Sequence, residues 1–179
     1  MSIAFDVDNV LADTISAWCN LLHEIKGIVI EKANIKSHKI VGSVRLSPQI
    51  IFSTLDRVWE NWKQLPMTEN DIPEYIEQIK KKGYNIFIVT NRPLRSKKYV
   101  ESWIANNGIV YDQLYFLGPY SSKVDIKVDY LVDDAPEHLE EFIKTGRIGF
   151  LYNQPWNARF TMKNSIRVNT ISEVIFYLE

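Results

Sequence analysis

The sequence predicts an α/β fold in which helices flank both faces of a doubly wound parallel sheet. Two observations lead to this fold class. Short apolar runs, typical of buried strands, alternate along the chain with segments whose apolar residues recur every three or four positions. Strands that alternate with helices form parallel sheets through right-handed crossovers. The 179 residues, 46% of them hydrophobic, are enough for one domain with a core and a small insertion.

The first predicted elements are a strand over residues 2–5 and a helix that follows it. The helix is predicted from the spacing of its apolar residues, which are Leu11, Ile15, Trp18, Leu22 and Ile25. Gly27 is suited to end this helix, and Ser47-Pro48 is suited to begin another. We therefore expect a small helical cap over residues 15–66, inserted after the first strand into an α/β core formed by residues 1–14 and 67–179.

The second half of the chain predicts the remaining strands and the helices between them. The predicted strands cover residues 84–90, 114–117, 130–133, 147–151 and 166–168. Helices are predicted to begin near residues 72, 94, 136 and 171. In a parallel sheet, Asp6, Thr90 and Asp133 would lie at the carboxyl ends of neighbouring strands, where α/β proteins bind ligands.

Several polar side chains fall at that predicted edge, and together they suit phosphoryl transfer. They are Asp6 and Asp8, Thr90, Lys123, and the pair Asp133 and Asp134. One carboxylate can attack phosphorus while another moves a proton. A hydroxyl and an ammonium group can hold phosphoryl oxygens. Adjacent buried carboxylates also need a compensating cation, for which a divalent metal with oxygen ligands, magnesium in most cells, is the simplest solution.

Four stretches carry a resemblance to a known superfamily. They are Phe5-Asp6-Val7-Asp8-Asn9-Val10-Leu11-Ala12-Asp13, Ile88-Val89-Thr90-Asn91, Lys123, and Leu131-Val132-Asp133-Asp134. In this order they resemble the four motifs of haloacid dehalogenase (HAD) superfamily phosphatases, over about residues 2–153. The closest resemblance is to the 5′(3′)-deoxyribonucleotidases, because of the Asp-x-Asp-x-Val-Leu-Ala-Asp start, the helical insertion and the later Tyr152-Asn153-Gln154-Pro155-Trp156-Asn157.

The resemblance implies a HAD-like, Rossmann-type fold and a magnesium-dependent phosphomonoesterase, most similar to a 5′-nucleotidase of (deoxy)nucleoside monophosphates. Asp6 would be the nucleophile and Asp8 the general acid/base. Thr90, the backbone of Asn91, and Lys123 would hold the phosphate. The metal ligands would be Asp6, the Asp8 carbonyl, and one or both of Asp133 and Asp134.

Two positions leave alternatives open. Lys127 competes with Lys123 for the lysine role, and the position of Lys123 ten residues before Asp133 favours it. Asn91 stands where these nucleotidases more often carry a small hydroxyl residue. Cys19 fits core packing, Asp13 fits a helix cap, and His23, His38 and His138 have no metal-ligand spacing.

Substrate specificity is expected in the cap and at the rim of the site. The candidate pocket residues are Trp18, Arg45, Trp59, Trp62 and Arg92. The tryptophans fit both base stacking and the apolar faces of cap helices. The arginines fit both contact with the substrate and an ordinary solvated surface.

The same residues also suit other functions. A HAD phosphatase for sugar phosphates or other small phosphomonoesters, and a non-catalytic phosphate-binding or signalling protein, remain alternatives. Receiver domains place the acidic pair before the phosphorylated aspartate, which is the opposite order. A dehalogenase has no use for an acid at Asp8.

Net charge, the length of apolar runs and the cysteine count limit the partners and the cellular location that we expect. The net charge of −1 argues against a nucleic-acid partner, and no apolar run has the length of a membrane span. A single cysteine and an N-terminus without a signal-like segment lead us to expect a cytoplasmic protein. The sequence does not determine the oligomeric state, and a homodimer is one option.

Overall fold

The computed structural model describes residues 1–38, 40–119 and 121–178, and it has the α/β fold that the sequence predicts. Within these ranges, six parallel strands form one sheet in the order β3-β2-β1-β4-β5-β6. The strands are β1 (Ser2–Asp6), β2 (Asn85–Thr90), β3 (Gln113–Phe116), β4 (Tyr130–Asp133), β5 (Ile148–Tyr152) and β6 (Ser165–Val168).

Helices cover both faces of this sheet. They are α1 (Thr14–Lys26), α2 (Pro48–Glu60), α3 (Ile72–Lys81), α4 (Lys97–Asn106), α5 (Pro136–Ile143) and α6 (Ile171–Tyr177). Ala4 of β1 packs in one apolar cluster with α5, whereas its neighbours Ile3 and Phe5 pack in a larger cluster with α3, α4 and α6. Because successive strand residues point to opposite faces, the two clusters lie on opposite sides of the sheet.

The strand order places β1 beside β4 at the centre of the sheet, where the order of strands along the sheet reverses. Open α/β sheets bind ligands at this point, outside the carboxyl ends of the strands. Asp6 is the last residue of β1 and Asp133 the last of β4, while Thr90 ends β2 on the other side of β1. The fold therefore gathers these three residues at one edge.

The first helix begins later than its apolar spacing predicts. Leu11 lies before α1, in a turn where the Val7 carbonyl accepts from the N–H groups of Leu11 and Ala12 at 3.1 and 2.9 Å. The prediction that Leu11 lies on the helix is therefore wrong, although Leu11 is buried. Asp13 caps the helix by accepting from Ser16 N at 3.3 Å, as expected.

The chain enters and leaves the predicted cap at adjacent points. The N–H of Asp13 donates to Pro66 O, and the N–H of Thr68 donates to Leu11 O, both at 2.9 Å. Between these points lie α1, α2 and two short 3₁₀ turns at Lys32–Asn34 and Trp62–Gln64. The division into a core and a cap at residues 15–66 remains a prediction. Among the described helices, none combines the length and apolar character needed to cross a bilayer.

Candidate active site

The turn after β1 holds its shape through an unusual backbone conformation and two hydrogen bonds, one of them long-range. Asn9 has a φ of 62°, a left-handed conformation that asparagine tolerates better than most residues. Its Oδ1 accepts from Ile15 N at 3.0 Å, and its carbonyl accepts from Gln154 Nε2 at 2.7 Å. These contacts fix the turn that carries Asp8 and leads from β1 to α1.

A buried lysine joins the ends of β1 and β4. Lys123 Nζ donates to Asp6 Oδ1 and to Asp133 Oδ2, both at 2.6 Å. Burial acts to lower the pKa of Lys123, but the charges of Asp133 and Asp6 outweigh it and raise the pKa above its usual value. Lys127, the rival in the sequence, is exposed. The geometry therefore favours Lys123 for the lysine role.

Three buried carboxylates form a cluster around this lysine. Oxygen atoms of Asp6, Asp133 and Asp134 all lie within 4.8 Å of one another. Burial raises the pKa of Asp6 to about 7, with Lys123 opposing the shift and Asp133 and Asp8 adding to it. Burial and the nearby Asp133 raise the pKa of Asp134 as well. When all three carboxylates are ionised, one ammonium group does not balance their charge, and these oxygen donors fit a hard divalent cation.

Asp133 and Asp134 differ in how far their oxygens are already engaged. Asp133 Oδ1 accepts from Ala135 N at 2.8 Å, and its Oδ2 contacts Lys123 and lies 3.3 Å from His138 Nδ1. Asp134 Oδ2 accepts from Trp156 Nε1 at 2.9 Å, while its Oδ1 accepts no hydrogen bond from the described residues. Asp134 therefore has the oxygen that is better available to a cation.

Asp8 is held through a single oxygen by three donors from three parts of the chain. Its Oδ1 accepts from Thr14 Oγ1 at 2.8 Å, from Trp59 Nε1 at 3.0 Å and from Arg92 NH1 at 2.9 Å. Asp8 Oδ2 accepts no hydrogen bond from the residues that the structure describes. The side chain keeps 23% of its surface exposed, so it is reachable from the solvent.

Thr90 is the last residue of β2, and Asn91 follows it. Thr90 is buried, and its Oγ1 accepts from Arg92 N at 3.1 Å. Asn91 Nδ2 donates to Gly118 O at 3.0 Å and to Ser121 O at 2.7 Å. The Asn91 side chain therefore holds the loop that precedes Lys123, and only its backbone remains a candidate for phosphate.

The structure brings some predicted pocket residues to Asp8 and leaves others away from it. Trp59 and Arg92 contact Asp8, whereas Trp18 is fully buried and donates to Thr54 Oγ1 at 2.7 Å between α1 and α2. Arg45 is exposed beside a cavity of about 570 Å³ lined by residues 28–31, 34 and 43–46. Trp62 is half-buried, with Lys63 over its ring.

Sequence reasoning missed three partners of the carboxylates. Thr14, Trp156 and His138 contact Asp8, Asp134 and Asp133, respectively. His138 has no metal-ligand spacing in the sequence, and the available signal was its position in the first turn of α5, five residues after Asp133. Trp156 lies in the stretch that supported the family resemblance. The spacing of Thr14 from Asp8 carries no comparable signal.

Solved structures with the same fold include hydrolases of the HAD superfamily. SP0104 from Streptococcus pneumoniae, a haloacid dehalogenase-like hydrolase, is 15% identical with a TM-score of 0.68, covering 98% of this chain and 97% of its own. YfnB from Bacillus subtilis, a HAD hydrolase bound to magnesium, is 13% identical with a TM-score of 0.64 and the same coverages, 98% and 97%. CbbY from Rhodobacter sphaeroides, in complex with phosphate, is 12% identical with a TM-score of 0.61, covering 97% and 95%.

The comparison with protein families is more specific than the fold. No curated protein sequence matches the chain significantly. Residues 1–177 match the family described as 5′ nucleotidase, deoxy (Pyrimidine), cytosolic type C protein. Because this match spans almost the whole chain, the protein belongs to that nucleotidase family and is a hydrolase of the phosphatase type with the HAD fold.

Proposed function

We propose that the chain is a magnesium-dependent phosphomonoesterase that hydrolyses nucleoside monophosphates through a phosphorylated Asp6. The observation that carries this proposal is the contact of Lys123 with Asp6 and Asp133 at the centre of the sheet edge. A carboxylate beside a fixed ammonium group suits nucleophilic attack on phosphorus, because the lysine neutralises charge on both the nucleophile and the transferred group.

The reaction has two steps in this proposal. In the first, Asp6 forms a bond to phosphorus while the bond to the leaving oxygen breaks, and protonated Asp8 gives its proton to that oxygen. In the second, ionised Asp8 takes a proton from water as the water oxygen bonds to phosphorus and the Asp6–phosphorus bond breaks. Asp8 thereby returns to its starting state, as general acid/base catalysis requires.

The proposed phosphate contacts are Thr90 Oγ1, the backbone N–H of Asn91, and Lys123. The proposed metal ligands are Asp6, the Asp8 carbonyl and Asp134, with Asp133 serving to hold Lys123. When bound, magnesium would neutralise charge on the phosphoryl oxygens. The excess negative charge of the three carboxylates supports a divalent cation at this place.

The proposed substrate is a deoxynucleoside monophosphate with a pyrimidine base, which rests on the description of the family. The net charge of −1 also fits a small phosphomonoester better than a nucleic acid as the substrate. The single cysteine supports a cytoplasmic location. A sugar phosphate is the second candidate substrate class, because the same carboxylates would serve any phosphomonoester.

The test is phosphate release from a panel of substrates at fixed pH, with magnesium or with a chelator. The panel contains pyrimidine and purine deoxynucleotides, their ribonucleotide counterparts, sugar phosphates and p-nitrophenyl phosphate. We expect magnesium-dependent release that is fastest with a pyrimidine deoxynucleotide, and no release by the Asp6→Asn variant. Release from sugar phosphates alone would contradict the substrate, and release by Asp6→Asn at the wild-type rate would contradict the mechanism.

A further inference from the structure

Trp59 contacts the proposed proton-transfer residue from a distant part of the chain. Its indole N–H donates to Asp8 Oδ1 at 3.0 Å across 51 positions of sequence. Trp59 lies near the end of α2, in the predicted cap, whereas Asp8 follows the first strand of the sheet. The contact therefore ties the position of α2 to the orientation of one carboxylate.

The indole ring of Trp59 is itself held in place on two sides. Its side chain is fully buried and packs edge-on against Trp103 of α4, with ring centroids 6.0 Å apart. The guanidinium of Arg92 lies over the ring at 5.0 Å from the centroid, and Arg92 also contacts Asp56 of α2 at 3.6 Å. Because the ring cannot turn freely, its N–H defines a fixed point for Asp8.

The three donors on Asp8 are all directed to the same oxygen. Thr14, Trp59 and Arg92 contact Oδ1, so Oδ2 is the oxygen left to carry and transfer a proton. Loss of one donor would let the carboxyl group rotate, and a general acid that is poorly oriented transfers its proton less effectively.

We propose that Trp59 is a positioning residue for proton transfer, which fixes Asp8 from α2 so that Oδ2 serves the leaving oxygen. This inference rests on the proposed function, because it assigns Asp8 the general acid role. The alternative is that Trp59 donates to Asp8 only because a buried indole N–H needs an acceptor. The two possibilities differ in how strongly kcat/KM depends on the pKa of the leaving group.

The experiment measures kcat/KM for a series of substituted phenyl phosphates with magnesium, which have similar size but leaving groups of different pKa. In the two-step reaction, kcat/KM reports the steps up to departure of the leaving group and excludes hydrolysis of phosphorylated Asp6. Poor leaving groups need a proton from Asp8, and good ones do not. The slope of log kcat/KM against leaving-group pKa therefore measures proton donation.

The variant is Trp59→Phe, and the matched control is Trp18→Phe. Trp18 is equally buried, and its indole N–H donates to Thr54 Oγ1 at 2.7 Å instead of to Asp8. We expect Trp59→Phe to steepen the slope toward that of Asp8→Asn, with about tenfold greater loss for the poorest leaving group than for the best. Trp18→Phe should keep the wild-type slope.

A second replacement keeps the test informative if the smaller ring prevents folding. β-(3-Benzothienyl)alanine at position 59 keeps the bicyclic ring and replaces the N–H by sulfur. An unchanged slope for either folded protein would overturn the inference while leaving the phosphatase intact. Wild-type protein that hydrolyses no phosphomonoester would instead overturn the proposed function, and the role of Trp59 with it.

Discussion

The ammonium group of Lys123 lies 2.6 Å from Asp6 Oδ1, although the two residues are 117 positions apart in the chain. Lys123 begins a short 3₁₀ turn ahead of β4, and Asp6 ends the neighbouring strand β1. The same ammonium group contacts Asp133 at the end of β4. This lysine is therefore both a structural connection between two strands and the proposed electrostatic partner of the nucleophile.

Replacing this lysine should affect both stability and activity. We expect Lys123→Met to lower the free energy of unfolding by about 3–5 kcal/mol, because it leaves Asp6 and Asp133 buried without their partner. Activity should fall at least about a hundredfold. Urea unfolding and phosphate release measure the two effects. Lys127→Met, at an exposed position, is the control, and equal stability of the two variants would argue against the buried pair.

The adjacent aspartates should respond differently to loss of charge. Asp134→Asn should abolish the rise in Tm that magnesium gives the wild-type protein, because it removes a proposed ligand. Without metal the variant should be at least as stable as wild type at neutral pH, because a carboxyl group whose folded pKa is raised loses stability there and a neutral amide does not. Asp133→Asn should be less stable with or without metal, because it breaks the contact with Lys123.

Thermal unfolding of the two variants in magnesium and in chelator makes this comparison. An equal Tm rise on adding magnesium to wild type and to Asp134→Asn would contradict the assignment of Asp134 as a ligand.

A hydrogen bond inside the predicted cap should support stability without affecting catalysis. Thr54→Val removes the acceptor of the Trp18 indole N–H, and an unpartnered buried donor costs about 1–3 kcal/mol. Because Trp18 is fully buried, KM for a nucleotide should not change. Ser53→Ala, which removes an exposed hydroxyl on the same helix, is the control. A large change in KM with Thr54→Val would indicate that Trp18 lines the substrate pocket.

Glu69 should make stability depend on pH in a predictable direction. Burial raises the pKa of Glu69, although its Oε1 accepts from Tyr152 and from Ile171 N, both at 2.8 Å. A carboxyl group whose folded pKa is raised contributes its full stability below its ordinary pKa and loses it as pH rises through the folded pKa. Glu69→Gln keeps an acceptor for both hydrogen bonds and cannot ionise.

The Tm difference between Glu69→Gln and wild type should therefore shift in favour of the variant as pH rises from about 4 toward neutrality. A difference that stays constant over this range would show that Glu69 ionises in the folded protein as it does in the unfolded chain.

The sequence predicts the strands and the carboxylate cluster for the same physical reason. Apolar runs identify buried strands, and parallel strands bring their carboxyl ends to one edge, so Asp6, Thr90 and Asp133 could be placed together without coordinates. Helix limits marked by backbone chemistry were also accurate, as Gly27 illustrates with a φ of 64° after α1.

Contacts that depend on packing between helices could not be predicted in this way. Apolar spacing placed Leu11 on the first helix, but the Val7 carbonyl holds it in the preceding turn. The same spacing does not distinguish Trp18, which donates to Thr54, from Trp59, which donates to Asp8. The difference arises from how α2 sits against the sheet edge, and that is a property of the tertiary structure.

The most direct test of the central claim is to trap the covalent intermediate. Wild-type protein would be mixed with a pyrimidine deoxynucleotide and magnesium, then treated with borohydride, which reduces an acyl phosphate to an alcohol. Peptide mapping by mass spectrometry should find Asp6 converted to homoserine only when substrate and magnesium are both present. Phosphate release without conversion of Asp6, or conversion of Asp8 instead, would contradict Asp6 as the nucleophile.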